Sequence, residues 1–383
     1  MSRITGRRPE LLVPAGNLEK LQTAIAYGAD AVYLGGRTMN LRAQAGGFEP
    51  EELRRAIRLA RIHGVRTYYL LNALPRQSHL KEIEAQLELV GELCAASRGP
   101  DALIIADPGV MRLARKRLPD MPLHVSTQAN TANAEAALFW RDFGASRVNV
   151  ARELRSAELK EMLIACKRMD PPLELEVFVH GAQCMAISGR CYLSSYLNDR
   201  PANLGECTHP CRYDYQARSV SVAEKTRETE TLWEVREYWQ EFGQDPEQQT
   251  KGQGEGYSAF FAAHDLCLLH YLEWMKRAGV AAVKVEGRTK SSSYLAQVTD
   301  AYATALKHIM KPGKSFDPNN YLGELVNTAS RPLNTGFFDA GKQQVIAEPP
   351  TKENSRPVLA RITEALSPGR YMVDIKHRWH TKN

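Results

Sequence analysis

The feature that most restricts the fold is an eightfold alternation of short apolar or β-branched runs with amphipathic helical patterns. The runs occupy residues 11–13, 31–34, 67–71, 102–105, 123–127, 147–150, 175–179 and 282–285. Helical patterns follow at 17–27, 50–63 and 79–96, and Pro108 opens a further one directly after the fourth run. Strands joined through helices pair in parallel with right-handed crossovers, and eight such units close a barrel. The Gly-x-Gly-x-x-Gly turn that an open dinucleotide-binding sheet places after its first strand does not occur at Pro14-Ala15-Gly16. The chain therefore reads as a TIM-like (β/α)8 barrel over residues 1–312, followed by an extension over 313–383. Strand alternation at 356–375 predicts a short C-terminal β appendage, too small to close on itself, and 294–310 has the pattern of an amphipathic helix.

Barrel enzymes keep their sites at the carboxyl ends of the strands. Here those ends carry Asn72, Asp107, Gln128, Arg152 with Glu153, His180, and Glu286 with Arg288. Between the seventh and eighth strands lies an insert, 183–278, far longer than an ordinary connection. Its first part holds cysteines, and 220–256, rich in Glu, Gln, Lys and Gly, reads as a solvated excursion. The 383 residues are 43% hydrophobic and 25% charged, enough for a large core, and a net charge of +6 suits a polyanionic partner without amounting to a basic tail. No apolar run approaches the ~20 residues of a membrane span, and the basic segment 1–8 is not followed by a secretion core. A soluble, cytoplasmic protein is expected.

Four of the seven cysteines crowd into one stretch with the spacing Cys184-x6-Cys191-x15-Cys207-x3-Cys211, among turn-forming Gly189, Gly205 and Pro210. In a cytoplasmic protein such crowding points to metal. Cys94 and Cys166, each inside a helical pattern, read instead as small buried hydrophobes. Zinc favours ligand pairs about two to four residues apart, which only Cys207 and Cys211 satisfy, so the wider first pair leans toward an iron–sulfur site. Asp214 occupies the position where a radical SAM motif would need a third cysteine. Cys267 is a fifth candidate that could replace Cys211, and spacing leaves the choice open. Arg152, Arg190, Arg212 and Arg288 have guanidinium forks that match dicarboxylates and phosphates, with Asn72 and Gln128 as further substrate-binding candidates. Glu153, Glu286 and His180 are the candidate acid/base groups. No His-Glu-x-x-His or Gly-x-Ser-x-Gly occurs, so a protease would have to use Cys184 or Cys191 with His180.

The segment from Glu176 through His180-Gly181-Ala182-Gln183-Cys184, continued by Ser188-Gly189-Arg190-Cys191-Tyr192-Leu193-Ser194, closely resembles the signature of the collagenase-like peptidase family U32. The resemblance extends through Ser126-Thr127-Gln128-Ala129-Asn130, Cys207-Thr208-His209-Pro210-Cys211 and Lys284-Val285-Glu286-Gly287-Arg288, and covers most of the chain. Within the family the chain is most similar to the branch that makes 5-hydroxyuridine at the tRNA wobble position using prephenate, a reading helped by Thr335-Gly336-Phe337. The resemblance implies tRNA as partner, prephenate as co-substrate and a [4Fe–4S] cluster on four of the five cysteines. Family members also hydroxylate a ribosomal RNA cytidine or act in ubiquinone synthesis, and the family name itself carries the collagenase-like peptidase alternative. Gln183 departs from the aliphatic residue of the signature, and the family's C-terminal barrel would continue past Asn383. A non-catalytic scaffold stapled by metal is the alternative from a different class.

Overall fold

A computed structural model describes residues 7–41, 46–221, 231–237, 261–311, 317–339, 345–349 and 360–375. The chain runs through β1 (Glu10–Pro14), β2 (Ala31–Leu34), β3 (Arg66–Leu71), β4 (Ala102–Ile105), β5 (Leu123–Val125), β6 (Ala145–Asn149) and β7 (Glu174–Ala182). It leaves for an insert holding β8 (Tyr215–Ser221), β9 (Thr231–Glu237) and β10 (Asp265–Cys267), and returns at β11 (Ala282–Val285). Each of the first six strands pairs in parallel with the next, and β11 pairs in parallel with both β7 and β1, closing an eight-stranded TIM-like barrel. Helices α1 (Leu18–Ala26), α2 (Pro50–Ile62), α3 (Leu80–Ala95), α4 (Pro108–Arg117), α5 (Ala134–Asp142) and α6 (Ser156–Lys167) are the crossovers. The insert adds α7 (Leu193–Asn198) and α8 (Leu272–Ala278); α9 (Ser292–His308) and α10 (Asn319–Thr328) follow the barrel. Side-chain caps start several of them: Asn17 accepts from Lys20 N, Asp107 from Val110 N, and Ser291 from Tyr294 N.

The strands sort their side chains with the two-residue period of a barrel wall. Leu11, Val13, Val32, Leu34, Leu103 and Ile105 pack outward in the main core, while Leu12, Ala31, Tyr33, Tyr68, Leu70, Ala102 and Ile104 form a separate cluster inside. The inner wall of the remaining strands is polar. Arg147 donates to Glu10 Oε1 at 2.7 Å and to Glu174 Oε2 at 2.6 Å, and Arg66 also pairs with Glu10. Lys284 Nζ and Asn149 Nδ2 reach Glu176 Oε1 at 3.1 and 2.8 Å. Three carboxylates meet three cations, so the network is neutral as a whole. Glu10, Arg147, Glu176 and Lys284 are buried, and removing one of these four would strand a buried charge at a cost of about 3–5 kcal/mol, whereas Arg66 and Glu174 reach solvent.

Two differences from the sequence expectation bear on function. β7 continues to Ala182 because β10 pairs antiparallel with its end, Asp265 opposite Ala182 and Cys267 opposite His180. His180 is thereby part of a paired strand, not a free strand end. β12 (Leu333–Asn334) and β13 (Val345–Ala347) extend the sheet beyond β10. Within 220–256, residues Thr231–Glu237 form a strand that pairs with β8 where solvated chain was expected; 222–230 and 238–256 lie outside the described residues. The appendage is a hairpin of β14 (Ala360–Ser367) and β15 (Arg370–Ile375), with 356–359 outside the described residues. Among the described residues no helix is long and apolar enough to cross a membrane.

Burial lowers the pKa of His124 well below its ordinary value, aided by Arg147 and Lys284, and lowers that of His180 to about 3, aided by Lys290. Both imidazoles fold neutral. Below the ordinary value of 6.5 the unfolded chain takes up protons that the folded chain refuses, so stability falls as pH drops from there toward about 3. Each histidine should contribute a slope of about 1.4 kcal/mol per pH unit. Urea midpoints between about pH 6 and about pH 5 should show the slope reduced by that amount in His180→Gln. An unchanged slope would mean that His180 is protonated in the folded protein.

Candidate active site

A cavity of about 350 Å³ lies at the carboxyl ends of the barrel strands, between the barrel mouth and the first part of the insert. The insert is fastened there by contacts to three barrel loops, those after β3, β5 and β6. Asn130 Nδ2 donates to Ile187 O at 3.0 Å, Arg190 Nε to Gln128 O at 2.6 Å, and Leu74 N to Asn203 O at 2.9 Å. Glu153 accepts from the Ser188 hydroxyl at 2.7 Å and from its backbone N–H, holding Ser188 in the left-handed region at φ 44. Gly189 follows at φ +84, and a Cβ there would stand 2.7 Å from Gln128 Nε2. Glycine is required at that close approach. Glu153 therefore acts on the cysteine loop and does not line the cavity.

Cys184, Cys191, Cys207 and Cys211 all line this cavity. Cys191 Sγ accepts from Leu193 N and Cys207 Sγ from His209 N, both at 3.4 Å, the same thiol-to-second-amide turn twice. The two turns are tied together: Asn203 Nδ2 donates to Cys191 O at 3.0 Å, Thr208 N to Ser194 Oγ at 3.1 Å, and Asn198 Nδ2 to Thr208 Oγ1 at 2.7 Å. Burial raises the pKa of the Cys211 thiol; Cys184, Cys207 and Cys191 raise it further and Arg212 opposes them. Among the described residues no three His, Cys, Asp or Glu side chains close around a point tightly enough to hold a single metal ion.

The structure places two of the sequence-selected residues away from these thiols. Cys267 is fully buried, its Sγ 3.8 Å from the Tyr302 hydroxyl, and burial pushes its pKa up to about 11. His180 lies beside it, Nδ1 3.4 Å from the same hydroxyl and its ring against Tyr302 and Tyr294. Neither lines the cavity. The antiparallel pairing of β10 with β7 delivers both to the core side, a nonlocal event that spacing does not signal. Cys166 is buried and Cys94 half-buried against the same core.

The charged candidates do gather. Arg152, Arg190, Arg212, Arg288 and Lys284 line the cavity, with Glu286 as the only carboxylate among its described lining residues. Arg288 is 2% exposed and donates to Asn40 Oδ1 and, at 2.8 Å, to Gly46 O. Arg152 reaches Ala182 O at 3.4 Å and sits over the Phe178 ring. Arg212 Nε is buried with no hydrogen-bond partner among the described residues, and so is Oδ1 of Asn72, whose Nδ2 donates to Ser126 Oγ. Buried polar atoms without partners on a cavity wall are groups that a ligand can satisfy. Gln128 is on the same wall. Lys284 was not singled out from the sequence. Its ammonium lies 4.6 Å from the Tyr33 ring centre and 5.4 Å from that of Phe178. The signal was available, since a lysine inside a doubly buried strand is rare without a partner.

Residues 16–347 match the sequence profile of peptidase family U32. The chain belongs to peptidase family U32. Among U32 relatives, it is 36% identical over 353 residues to a protein of Escherichia coli named tRNA hydroxylation protein P, covering 86% of this chain and 74% of that one. It is 33% identical to tRNA hydroxylation protein P1 of Bacillus subtilis over 88% of this chain and 72% of the relative. A Porphyromonas gingivalis protein named collagenase is 30% identical over 86% and 72% of the two chains. In this chain the segment around Cys184 and Cys191 builds the cavity wall, and Glu153 clamps it through Ser188. Glu153→Ala should free Ser188 and raise the rate of Cys191 alkylation by iodoacetamide about tenfold, equivalent to ~1.4 kcal/mol of local opening. Glu153→Gln should fall between. An alkylation rate that ignores both changes would remove the clamp.

Proposed function

We propose that this protein is a tRNA-modifying enzyme that forms 5-hydroxyuridine at the wobble position, with prephenate as co-substrate and a [4Fe–4S] cluster on Cys184, Cys191, Cys207 and Cys211, acting in the cytoplasm. The observation that carries the reading is that four thiols and five cationic side chains line one cavity at the barrel mouth. The names of the curated relatives supply the reaction class.

Cys184, Cys191, Cys207 and Cys211 would hold the cluster, four cysteine thiolates being the donor set that four-iron clusters take. The backbone N–H groups donated to Cys191 and Cys207 are the type that tunes cluster-bound sulfur. Cys267, committed to the core beside Tyr302, leaves Cys211 as the fourth ligand. When bound, the cluster supplies one-electron redox chemistry that side chains lack.

The remaining residues bind and orient. Arg212, with its unpartnered Nε, and Arg190, Arg152 and Arg288 offer forks for two carboxylates or for RNA phosphates. Lys284 adds a cation beneath Tyr33 and Phe178, rings against which a cyclic substrate or a base packs. Asn72 and Gln128 offer amide groups to a base edge. Glu286 is placed to hold or accept a proton at its carboxylate oxygens. The thiol protease read from the sequence would pair Cys184 or Cys191 with His180, which is instead packed against Tyr302 with its pKa near 3; His209 is the histidine that lines the cavity.

Nucleoside mass spectrometry of tRNA tests the assignment. Cells lacking the gene should lose 5-hydroxyuridine and its derivatives, the wild-type gene should restore them, and Cys207→Ser and Arg212→Ala should restore under about a tenth. An unchanged tRNA profile would overturn the tRNA assignment, and a change confined to ribosomal RNA or quinones would move the same cavity to another substrate.

A further inference from the structure

We propose that Tyr192 and Tyr196 form a stacking platform for unpaired RNA bases at the rim of the cavity, holding the nucleotides next to the target so that the target base alone enters. This rests on the RNA reading above and specifies how the RNA is presented.

Among the described residues these two tyrosines are the most exposed large hydrophobic side chains, at 75% and 74%. Tyr192 immediately precedes α7 and Tyr196 lies one turn later, its N–H donating to Tyr192 O at 2.9 Å. That spacing puts both side chains on one face of the turn, with ring centres 6.3 Å apart. Tyr192 also lines the cavity, so the platform is continuous with the site. The helix beneath is fixed: Ser194, buried, donates to Arg200 O at 2.7 Å, and Asn198 holds Thr208. Two rings carried on a fixed helix and open to solvent gain little for the fold, since exposed aromatic area is not removed from water.

The surroundings select the occupant. Arg190 is exposed, and among the described residues its guanidinium makes one hydrogen bond, through Nε to Gln128 O, leaving its terminal nitrogens to a ligand. Arg212, on the cavity wall, has the buried unpartnered Nε. Aromatic faces interleaved with guanidinium groups are the arrangement that binds single-stranded nucleic acid, the rings taking bases and the cations taking phosphates. A duplex keeps its bases stacked inside and offers the rings nothing. The rim therefore recognises an unpaired loop.

The test uses the full-length protein and a fluorescent anticodon stem-loop, with a blunt duplex of the same stem as comparison. Tyr192→Ala and Tyr196→Ala should each weaken stem-loop binding about 5- to 100-fold, the range expected for loss of one stacked base, and leave duplex binding within about twofold. Tyr192→Phe and Tyr196→Phe keep the ring and should bind within about twofold of wild type. Ile62→Ala, an exposed apolar residue at the end of α2, should change nothing. A 2-aminopurine base beside the target should be quenched by the wild type and the Phe variants and stay bright with the Ala variants. If the wild type binds the stem-loop and the Ala variants bind it equally, the platform is wrong while the RNA reading stands. If the wild type itself binds no stem-loop, the RNA reading has failed and the platform with it. Intact RNA binding with a changed oligomeric state in the Ala variants would assign the two rings to an interface between copies.

Discussion

Four thiols brought to one cavity wall are an unstable arrangement on their own. As thiols they are weak hydrogen-bonding groups of little value to one another; as thiolates they repel, which is why Cys184, Cys207 and Cys191 all push the Cys211 pKa upward. The fold nevertheless holds them in place with a dense set of contacts: Glu153 on Ser188, Arg190 on Gln128, Asn203 on the Cys191 carbonyl and Asn198 on Thr208. The cationic core of the proposed cluster would offset that repulsion, and the proposal of a redox site at this cavity depends on it. Arg212 lowers the cost of gathering negative sulfur at Cys211, and under the proposed function the cavity cations would also receive an anionic substrate.

The barrel supplies the rigid frame for this assembly. One half of its inner wall is apolar and the other carries the neutral network of Glu10, Arg66, Arg147, Glu174, Glu176 and Lys284. Lys284 belongs to both network and cavity, so the floor of the site is anchored electrostatically to Glu176. β10 and β12 then extend the sheet past β7, and Gly336, at φ +58, comes so close to Gln183 that a Cβ would stand 2.4 Å from its Nε2. The polar residue that departs from the family signature is thus packed against the segment containing Thr335 and Phe337, beside the start of the cysteine loop.

Much of this was legible in the chain because the determining signals are local. The eight strands announced themselves through short apolar runs and their turns, and the polar residues at strand ends, Asn72, Gln128, Arg152, Glu286 and Arg288, do line the mouth. Cysteine spacing marked the four thiols that share the cavity. What escaped depends on pairing between distant segments. A three-residue strand such as Asp265–Cys267 has no periodicity to detect, so the burial of Cys267 was not visible in advance, while His180, which the sequence allows equally as an acid/base group or a core histidine, proves to be the latter. Tyr192 and Tyr196 were invisible for another reason: helical spacing brings two rings together, but only the fold shows that nothing covers them.

Metal and sulfide analysis of protein purified without oxygen tests the central claim most directly. Wild type and Cys267→Ala should each hold about four iron and four sulfide per chain, and Cys211→Ser should lose most of both. One zinc per chain in the wild type, or iron retained by Cys211→Ser and lost from Cys267→Ala, would contradict the account.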